Sequence, residues 1–492
     1  MGGPVIAEIT IPLPDEDATA ALGRALAPLL GPGDLVALWG ELGAGKTALA
    51  RAVIGALPAP GGERAAERVP SPTYTLVQTY ARRPAEVWHL DLYRCADPEE
   101  VVELGWDEAL AEAITLVEWP GNAGAFLPAG RLDVTLTAPD GGGRAARLHG
   151  ADAGWAARLG RLNRRVAAER FVAAHGWAGA ARVPLAGDAS PRGYLRLVGD
   201  TETRVLMDAP PPADVRPFAH VAELLARLGF SAPAVYARDD TRGFLLLEDF
   251  GTRAVRDALA AGEPAAPLYA LATDTLIALH RTGLPGEHGL PPYDTQRYLD
   301  EARLLLDWYA PAVGCTPDGE ARAAWDDAWR AALACAATAE PVLVLRDFFP
   351  DNLMLLDRPG VRACGLLDFQ DALAGHPAYD LASLLQDARR DVPPEREAAM
   401  LTRYLDAFPQ LDAAAFRQAY TVLAAQRHAK VLGIFTRLAQ RDGKPAYRQH
   451  IPRLWAYMDR CLTHPALAPV AAWLDRELPR ERRVTPGHAA PS

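Results

Sequence analysis

The sequence predicts an α/β protein built of two dissimilar parts, and three observations carry that reading. Residues 1–150 alternate strand and helix patterns. Within them a glycine-rich segment, "GELGAGKT" (40–47), stands between an apolar strand and a helix. The chain has 492 residues, more than one hydrophobic core usually supports. Alternation of this kind implies a largely parallel sheet covered by helices. A second α/β stretch occupies roughly 180–250, and from 255 to about 475 the pattern is mostly helical. The exception is a short strand-turn-strand region around 340–370. The expected organisation is a domain at 1–150, a linker at 151–163, a second domain at 164–478 and a disordered tail at 479–492. No internal repeat is visible.

Each element has its own justification. "DLVALWG" (34–40) and "AITLVEW" (113–119) are apolar runs of buried-strand length, and "EVWHLDLY" (86–93) is a third strand. "KTALARAVIGAL" (46–57) and "DPEEVVELGWDEALAEA" (97–113) carry helical spacing. "RLDVTLTAPDGGGRAARLHG" (131–150) reads as a hairpin turning at "APDGGG". Near "ADAGWAARLGRLNRR" (151–165) the pattern switches to helix.

Composition removes several function classes. A net charge of −11 argues against a strongly nucleic-acid-binding surface, so any RNA contact runs through a partner. The five cysteines are far apart without a CxxC, as expected of reduced thiols in a cytoplasmic protein. No apolar run reaches the roughly 18 residues of a membrane span, and the acidic N-terminus lacks the basic start of a secretory signal. Of 51 basic residues only Lys46, Lys430 and Lys444 are lysines. Against such an arginine bias, a lysine that persists does something arginine cannot.

The first chemical centre is the glycine-rich loop. Gly40, Glu41, Leu42, Gly43, Ala44 and Gly45 wrap nucleotide phosphates with their backbone amides, and the helix beginning at Lys46 aims its positive end at them. Lys46 brings a compact charge to the terminal phosphates, and the Thr47 hydroxyl is a magnesium ligand. Asp91 and Glu118 each end an apolar run, where a carboxylate emerges at the rim of a sheet. A solvated acid at a strand end is the alternative for each.

With "VPSPTYTLVQTY" (69–80), "HLDLYR" (89–94), "ELGWDE" (103–108) and "LVEWP" (116–120) in order after "GELGAGKT", this part resembles the bacterial ATPase subunit of the tRNA threonylcarbamoyladenosine machinery. The resemblance implies a P-loop NTPase domain using ATP and Mg²⁺ in support of threonylcarbamoyl transfer to A37 of tRNA. It implies that Lys46 binds phosphate, that Thr47 and Glu118 hold magnesium, and that Asp91 is a catalytic or water-positioning acid. Thr73 and Thr75 fall in a nucleotide-sensing loop, and Trp119 packs beside the site. The implied partners are the transferase subunit and that subunit's paralogous companion, with tRNA met only indirectly.

The second centre is "VLVLRDFFPDNLM" (342–354), followed by "CGLLDFQDALAGHPAYDLASLL" (364–385). Asp347 and Asn352 have the spacing that kinase catalytic loops use for base and metal ligand. Asp368 ends a short apolar strand and supplies a second metal ligand, and Asp380 enters a helix. The triplet Asp249-Phe250-Gly251 matches the kinase metal motif in letters but precedes the catalytic loop. It is read instead, with Glu248, as the connection between lobes, where backbone groups meet adenine.

Together with "PLAGDASPRGYLRL" (184–197), "VLMDAPP" (205–211), "GFLLLEDFGT" (243–252) and "QRHAKVLGIFTRL" (426–438), these motifs resemble the aminoglycoside phosphotransferase-like kinases. Within that group they most resemble the N-acetylmuramate/N-acetylglucosamine anomeric kinases of cell-wall recycling. The resemblance implies a bilobal protein-kinase-like α+β domain that moves the γ-phosphate of ATP to the C1 hydroxyl of an amino sugar. Kinases place a lysine on the third small-lobe strand, where this chain has Met207. Ser190, Arg192 and Arg196 are the candidates to hold phosphate in its place. Arg346 stands where many kinases have histidine. Asp208, Asp371 and His428 are polar groups near these motifs, read as structural. Two alternatives stay open: another acceptor such as choline, an aminoglycoside or a different alcohol, or a pseudokinase scaffold without catalysis.

Overall fold

The computed structural model describes residues 7–60, 69–137, 144–150, 152–185, 192–336 and 339–487. They form two compact units. The first takes in the N-terminal residues, Arg192–Asp208 and Phe244–Leu246; the second takes in Ala209–Gly243 and the residues from Leu247 onward.

In the first unit, strands β1 (Ala7–Leu13), β2 (Leu35–Trp39), β3 (Val77–Tyr80), β4 (Val87–Asp91), β5 (Ile114–Glu118), β6 (Leu132–Thr137) and β7 (Arg144–Gly150) make one sheet ordered β1-β7-β6-β2-β5-β4-β3. The centre, β4-β5-β2-β6, is parallel as the alternating pattern implies, while β1, β7 and β3 pair antiparallel. β6 and β7 are the expected hairpin; its turn, 138–143, lies outside the described residues. Alternate residues of β2 serve different cores. Val36 and Leu38 pack with helices α1 (Glu16–Leu26) and α2 (Lys46–Ala56), and Leu35 and Ala37 with Val101 and Trp106. A strand buried on both faces reads as an unbroken apolar run, which is what the sequence shows.

Two expectations for the first unit are corrected. The single helix over 97–113 is two, α3 (Glu100–Glu103) and α4 (Trp106–Glu112), because Gly105 takes φ 84°. A Cβ there would stand 3.0 Å from the Trp88 ring, so glycine is needed for space as well as conformation. The expected linker at 151–163 instead begins α5 (Ala153–Ala174), capped by the Asp152 carboxylate accepting from Trp155 N at 2.8 Å. Trp155, Leu159, Leu162 and Val166 lie one above another on this helix, and the stripe is buried in the same core as α1. Ion pairs Arg158–Asp34 (2.5 Å) and Arg24–Glu169 (3.0 Å) fasten it there.

A five-stranded sheet follows, ordered β11-β12-β10-β9-β8, from β8 (Ala181–Leu185), β9 (Gly193–Val198), β10 (Thr203–Asp208), β11 (Val235–Asp239) and β12 (Phe244–Glu248). The second unit is mainly helical: α6 (Arg216–Arg227), α7 (Val255–Ala260), α8 (Ala265–Arg281), α9 (Thr295–Ala302), α10 (Ala310–Ala312) and α11 (Gly319–Leu333) precede the loop region. After it come α12 (Ala378–Leu385), α13 (Pro394–Asp406), α14 (Ala413–Gln440), α15 (Ile451–Leu462) and α16 (Ala468–Glu477). Between the two sets lie antiparallel ladders of β13 (Val342–Val344) with β16 (Leu373–Gly375) and β14 (Leu353–Leu355) with β15 (Cys364–Leu366). Residues 479–487, assigned to a disordered tail, carry a 3-10 turn at Arg480–Arg482. Arg483 there pairs with Asp475 at 2.7 Å and Asp459 at 3.3 Å. Among the described residues no helix is long and apolar enough to cross a membrane.

Candidate active sites

In the first unit β2 delivers the chain to the loop 40–45, and α2 leaves from it. Gly40, Gly43 and Gly45 have φ of 137°, 77° and 102°. A Cβ on Gly40 would stand 2.5 Å from the Leu136 carbonyl oxygen, so backbone reaches where no side chain fits. Lys46 is buried. Its Nζ donates to the Gly40 and Glu41 carbonyls at 2.8 and 3.0 Å and lies 3.8 Å from the centre of the Trp119 ring. Burial pushes the Lys46 ammonium below its ordinary value, against the opposing pull of Glu118 and Asp91.

The strand-end acids sit side by side: Asp91 and Glu118 are register partners on β4 and β5, each 3% exposed. Thr47 Oγ1 donates to Glu118 Oε2 at 3.0 Å. Thr73 Oγ1 donates to Asp91 Oδ2 at 2.7 Å, while Thr75 is exposed. Thus Lys46, Thr47, Asp91, Glu118, Thr73 and Trp119 come together. The sequence reading passed over His89, which is fully buried with Nε2 3.0 Å from Glu118 Oε1. Its signal was alternation: two residues before Asp91 on a strand, it shares that residue's face.

In the second unit the catalytic-type loop is held from below. Asp380, fully buried on α12, accepts Leu345 N at 2.6 Å and Arg346 N at 2.8 Å. Burial raises its carboxyl to about 7. Asn352 Nδ2 donates to the Asp347 carbonyl at 2.9 Å, and Leu367 N donates to the Asn352 carbonyl at 3.0 Å. Leu353 lies opposite Leu366 in the β14–β15 ladder, and Asp368, two residues beyond Leu366, accepts Gln370 Nε2 at 2.9 Å. The flank of the loop carries a buried charge network that sequence did not reveal. Glu301 pairs with Arg346, with Lys430 at 3.1 Å and with the Tyr293 hydroxyl at 2.5 Å. Burial alone would raise the Glu301 carboxyl, but Lys430 and Arg346 outweigh it and hold the group low.

Backbone strain marks the same places. Among the described residues the non-glycine positions at positive φ are Leu76 (62°), Trp119 (57°), Arg346 (69°) and Asp368 (57°), each in or beside one of these loops. Conformations of this kind cost about 1–3 kcal/mol each and gather at functional sites.

Other candidates are placed differently. Glu248 pairs with Arg358. Arg192 precedes β9, and Arg196 lies within it opposite Val183 and Val205. Ser190 lies outside the described residues. Met207 is fully buried in β10, opposite Tyr194. Asp208 pairs with Arg164 at 2.7 Å, and Asp371 is exposed with its carbonyl accepting from Arg346 at 3.3 Å. His428 is buried against Tyr457, with Nε2 2.7 Å from Gln386 Oε1. Asp249 accepts from Gly251 N at 2.9 Å.

The donors around both loops are hard oxygens, which suit magnesium. Among the described residues no three His, Cys, Asp or Glu side chains form a metal cage, and a magnesium sharing nucleotide phosphates and water needs none.

A glycine loop feeding a helix beside paired strand-end acids, and a strained D-x4-N loop with a second aspartate two residues past β15, belong to two ways of handling phosphate. They define a protein that joins a P-loop fold to a kinase-like phosphotransferase fold. The sequence matches Threonylcarbamoyl adenosine biosynthesis protein TsaE over residues 13–146 and the Phosphotransferase enzyme family over 182–417. It is 39% identical over 356 residues to the N-acetylmuramate/N-acetylglucosamine kinase of Caulobacter vibrioides, covering 65% of this chain and 98% of that one. The kinase of that name from Pseudomonas aeruginosa is 39% identical over 315 residues, covering 61% and 90%. The tRNA threonylcarbamoyladenosine biosynthesis protein TsaE of Rickettsia conorii is 40% identical over 128 residues, covering 26% and 70%. The chain therefore belongs to the TsaE family over its N-terminal part and to the N-acetylmuramate/N-acetylglucosamine kinase family over the remainder, a fusion of an ATPase with a phosphotransferase.

Proposed function

We propose that the chain hydrolyses ATP at its first loop in support of tRNA A37 threonylcarbamoylation, and at its second phosphorylates the anomeric hydroxyl of N-acetylmuramate and N-acetylglucosamine. In the first unit the amides of residues 40–45 and the start of α2 receive the phosphates. Lys46 exchanges its loop carbonyls for the terminal phosphate oxygens. Thr47 and Glu118 hold magnesium, His89 keeps the Glu118 carboxylate in place, and Asp91 orients the attacking water. Partners there are the transferase subunit and its paralogous companion, which carry the tRNA.

In the second unit Asp347 accepts the proton of the sugar hydroxyl, and Asn352 and Asp368 hold magnesium. Magnesium, when bound, neutralises charge on the transferring phosphate. The supporting observation is the hydrogen bond from Asn352 to the Asp347 carbonyl on a loop pinned by Asp380, with Leu367, the residue before Asp368, bonded to the Asn352 carbonyl. Met207, a core residue where kinases carry lysine, favours one rival reading, a non-catalytic scaffold. A panel of amino sugars with ATP decides between them. A sugar 1-phosphate, identified by its 31P and anomeric proton signals, supports the kinase and excludes the scaffold; no phosphorylated sugar from any member removes the amino-sugar kinase reading.

A further inference from the structure

Arg346 is held at both ends. Its amide donates to Asp380 Oδ1 at 2.8 Å, while its guanidinium donates through Nη2 to Glu301 and through Nη1 to the Asp371 carbonyl at 3.3 Å. Asp347 is the next residue, so this one side chain ties the D-x4-N loop to the segment after β15 that carries Asp368. Within that segment Gln370 Nε2 donates to Asp368 Oδ1 at 2.9 Å. Arg346 and Asp368 both take positive φ, 69° and 57°, so each backbone is kept in place by its surroundings against its own preference.

Glu301 fixes the side-chain end of that tie. It stands on α9, outside the loop motifs, and its carboxylate also accepts from Lys430 of α14 at 3.1 Å and from the Tyr293 hydroxyl at 2.5 Å. Lys430 Nζ donates to the Tyr379 hydroxyl at 3.4 Å, one residue before Asp380, and Tyr293 N donates to the Ala374 carbonyl of β16 at 2.7 Å. The carboxylate is therefore anchored from other elements before Arg346 reaches it. A planar guanidinium bound to two fixed acceptors keeps one rotamer of a long side chain that would otherwise sample many.

We infer that Glu301 is a positioning residue for sugar phosphorylation, acting through Arg346 to hold the Asp347 loop and the Asp368 segment in register with each other. This rests on the kinase reading above and adds a residue of α9 to the machinery of that site. Glu301 need not touch the acceptor. Small displacements of reacting groups cost rate steeply, so loosening the tie slows the chemical step more than it weakens binding.

The test is a double-mutant cycle in the full chain, following sugar phosphate from ATP with N-acetylglucosamine and with N-acetylmuramate, and with thermal melts alongside. Glu301→Gln and Arg346→Met are each expected to lower kcat about tenfold or more, the scale of one charged hydrogen bond, with KM for sugar and ATP changed less than about threefold. The double variant is expected to lose less than about twofold beyond the slower single variant, because both changes cut the same tie. A greater further loss would mean that Glu301 acts apart from Arg346 and would overturn the inference. So would a Glu301→Gln kcat within twofold of wild type, or a change confined to KM. Should a variant not fold, Glu301→Asp or Arg346→Lys takes its place in the cycle; if neither replacement of a residue folds, that residue supports the core alone and the inference fails. A wild-type chain that phosphorylates neither sugar instead overturns the kinase reading, and this inference with it.

Discussion

Replacing Asp380 by asparagine removes half of what pins the catalytic-type loop. The carboxylate gives one oxygen to Leu345 N at 2.6 Å and the other to Arg346 N at 2.8 Å. Asparagine has one acceptor oxygen, so one buried amide faces an NH₂ group, at a cost of about 1–3 kcal/mol. Arg346 is the residue that lets go first, because its φ of 69° relaxes on release. At about 1.4 kcal/mol per factor of ten, sugar phosphorylation should fall about 10- to 100-fold in kcat with little change in KM.

The pH dependence follows from burial, which raises Asp380 from 3.8 to about 7. Between those values the native chain holds a proton that the unfolded chain has released. Wild-type stability from this group is therefore complete below 3.8 and lost as pH rises through about 7. Asparagine does not titrate, so the variant gains stability relative to wild type across that window. Catalysis moves correspondingly: at pH 6 wild-type Asp380 is largely protonated and resembles asparagine, whereas at pH 8 it is a carboxylate. Sugar phosphate formation at pH 6, 7 and 8, with melts at each pH, should show the wild-type advantage in kcat widening as pH rises. An advantage equal at pH 6 and pH 8, or a variant within twofold of wild type at pH 8, would refute the pinning role.

Three further outcomes are expected. Gly40→Ala puts a Cβ 2.5 Å from the Leu136 oxygen at a φ of 137°. It should lose about 2–4 kcal/mol by denaturant titration, and its first unit should not bind nucleotide. Lys430→Met removes one of two cations from buried Glu301; with Arg346 retained, the loss should be about 1–3 kcal/mol in the same titration. Chelation with EDTA should stop both ATP hydrolysis and sugar phosphorylation, with recovery on excess magnesium. Either activity persisting without metal would remove the ligand roles given to that unit.

What the sequence disclosed was local chemistry with fixed spacing. The loop 40–47, the strand-end acids Asp91 and Glu118, and the D-x4-N pair were readable because each motif lies within one segment. What it hid was set by packing between distant segments. The stripe Trp155, Leu159, Leu162 and Val166 announces a helix, but not which core buries it, so a core helix was assigned as linker. Glu301, Arg346 and Lys430 come from three separate stretches and meet only in the fold. The rarity of lysine singled out Lys430 without naming its partner. Gly105 lies inside a pattern of helical period, and only the approach of Trp88 shows why the helix breaks there.

Independence of the two sites is tested most directly by measuring both products in two single variants of the full chain. Lys46→Ala is predicted to abolish phosphate release from ATP alone while sugar phosphate forms at the wild-type rate. Asp347→Asn is predicted to cut sugar phosphate formation about 10²- to 10⁴-fold while ATP hydrolysis persists. Loss of both products in either variant, or near-normal sugar phosphorylation in Asp347→Asn, would contradict two separate phosphoryl-handling sites in one chain.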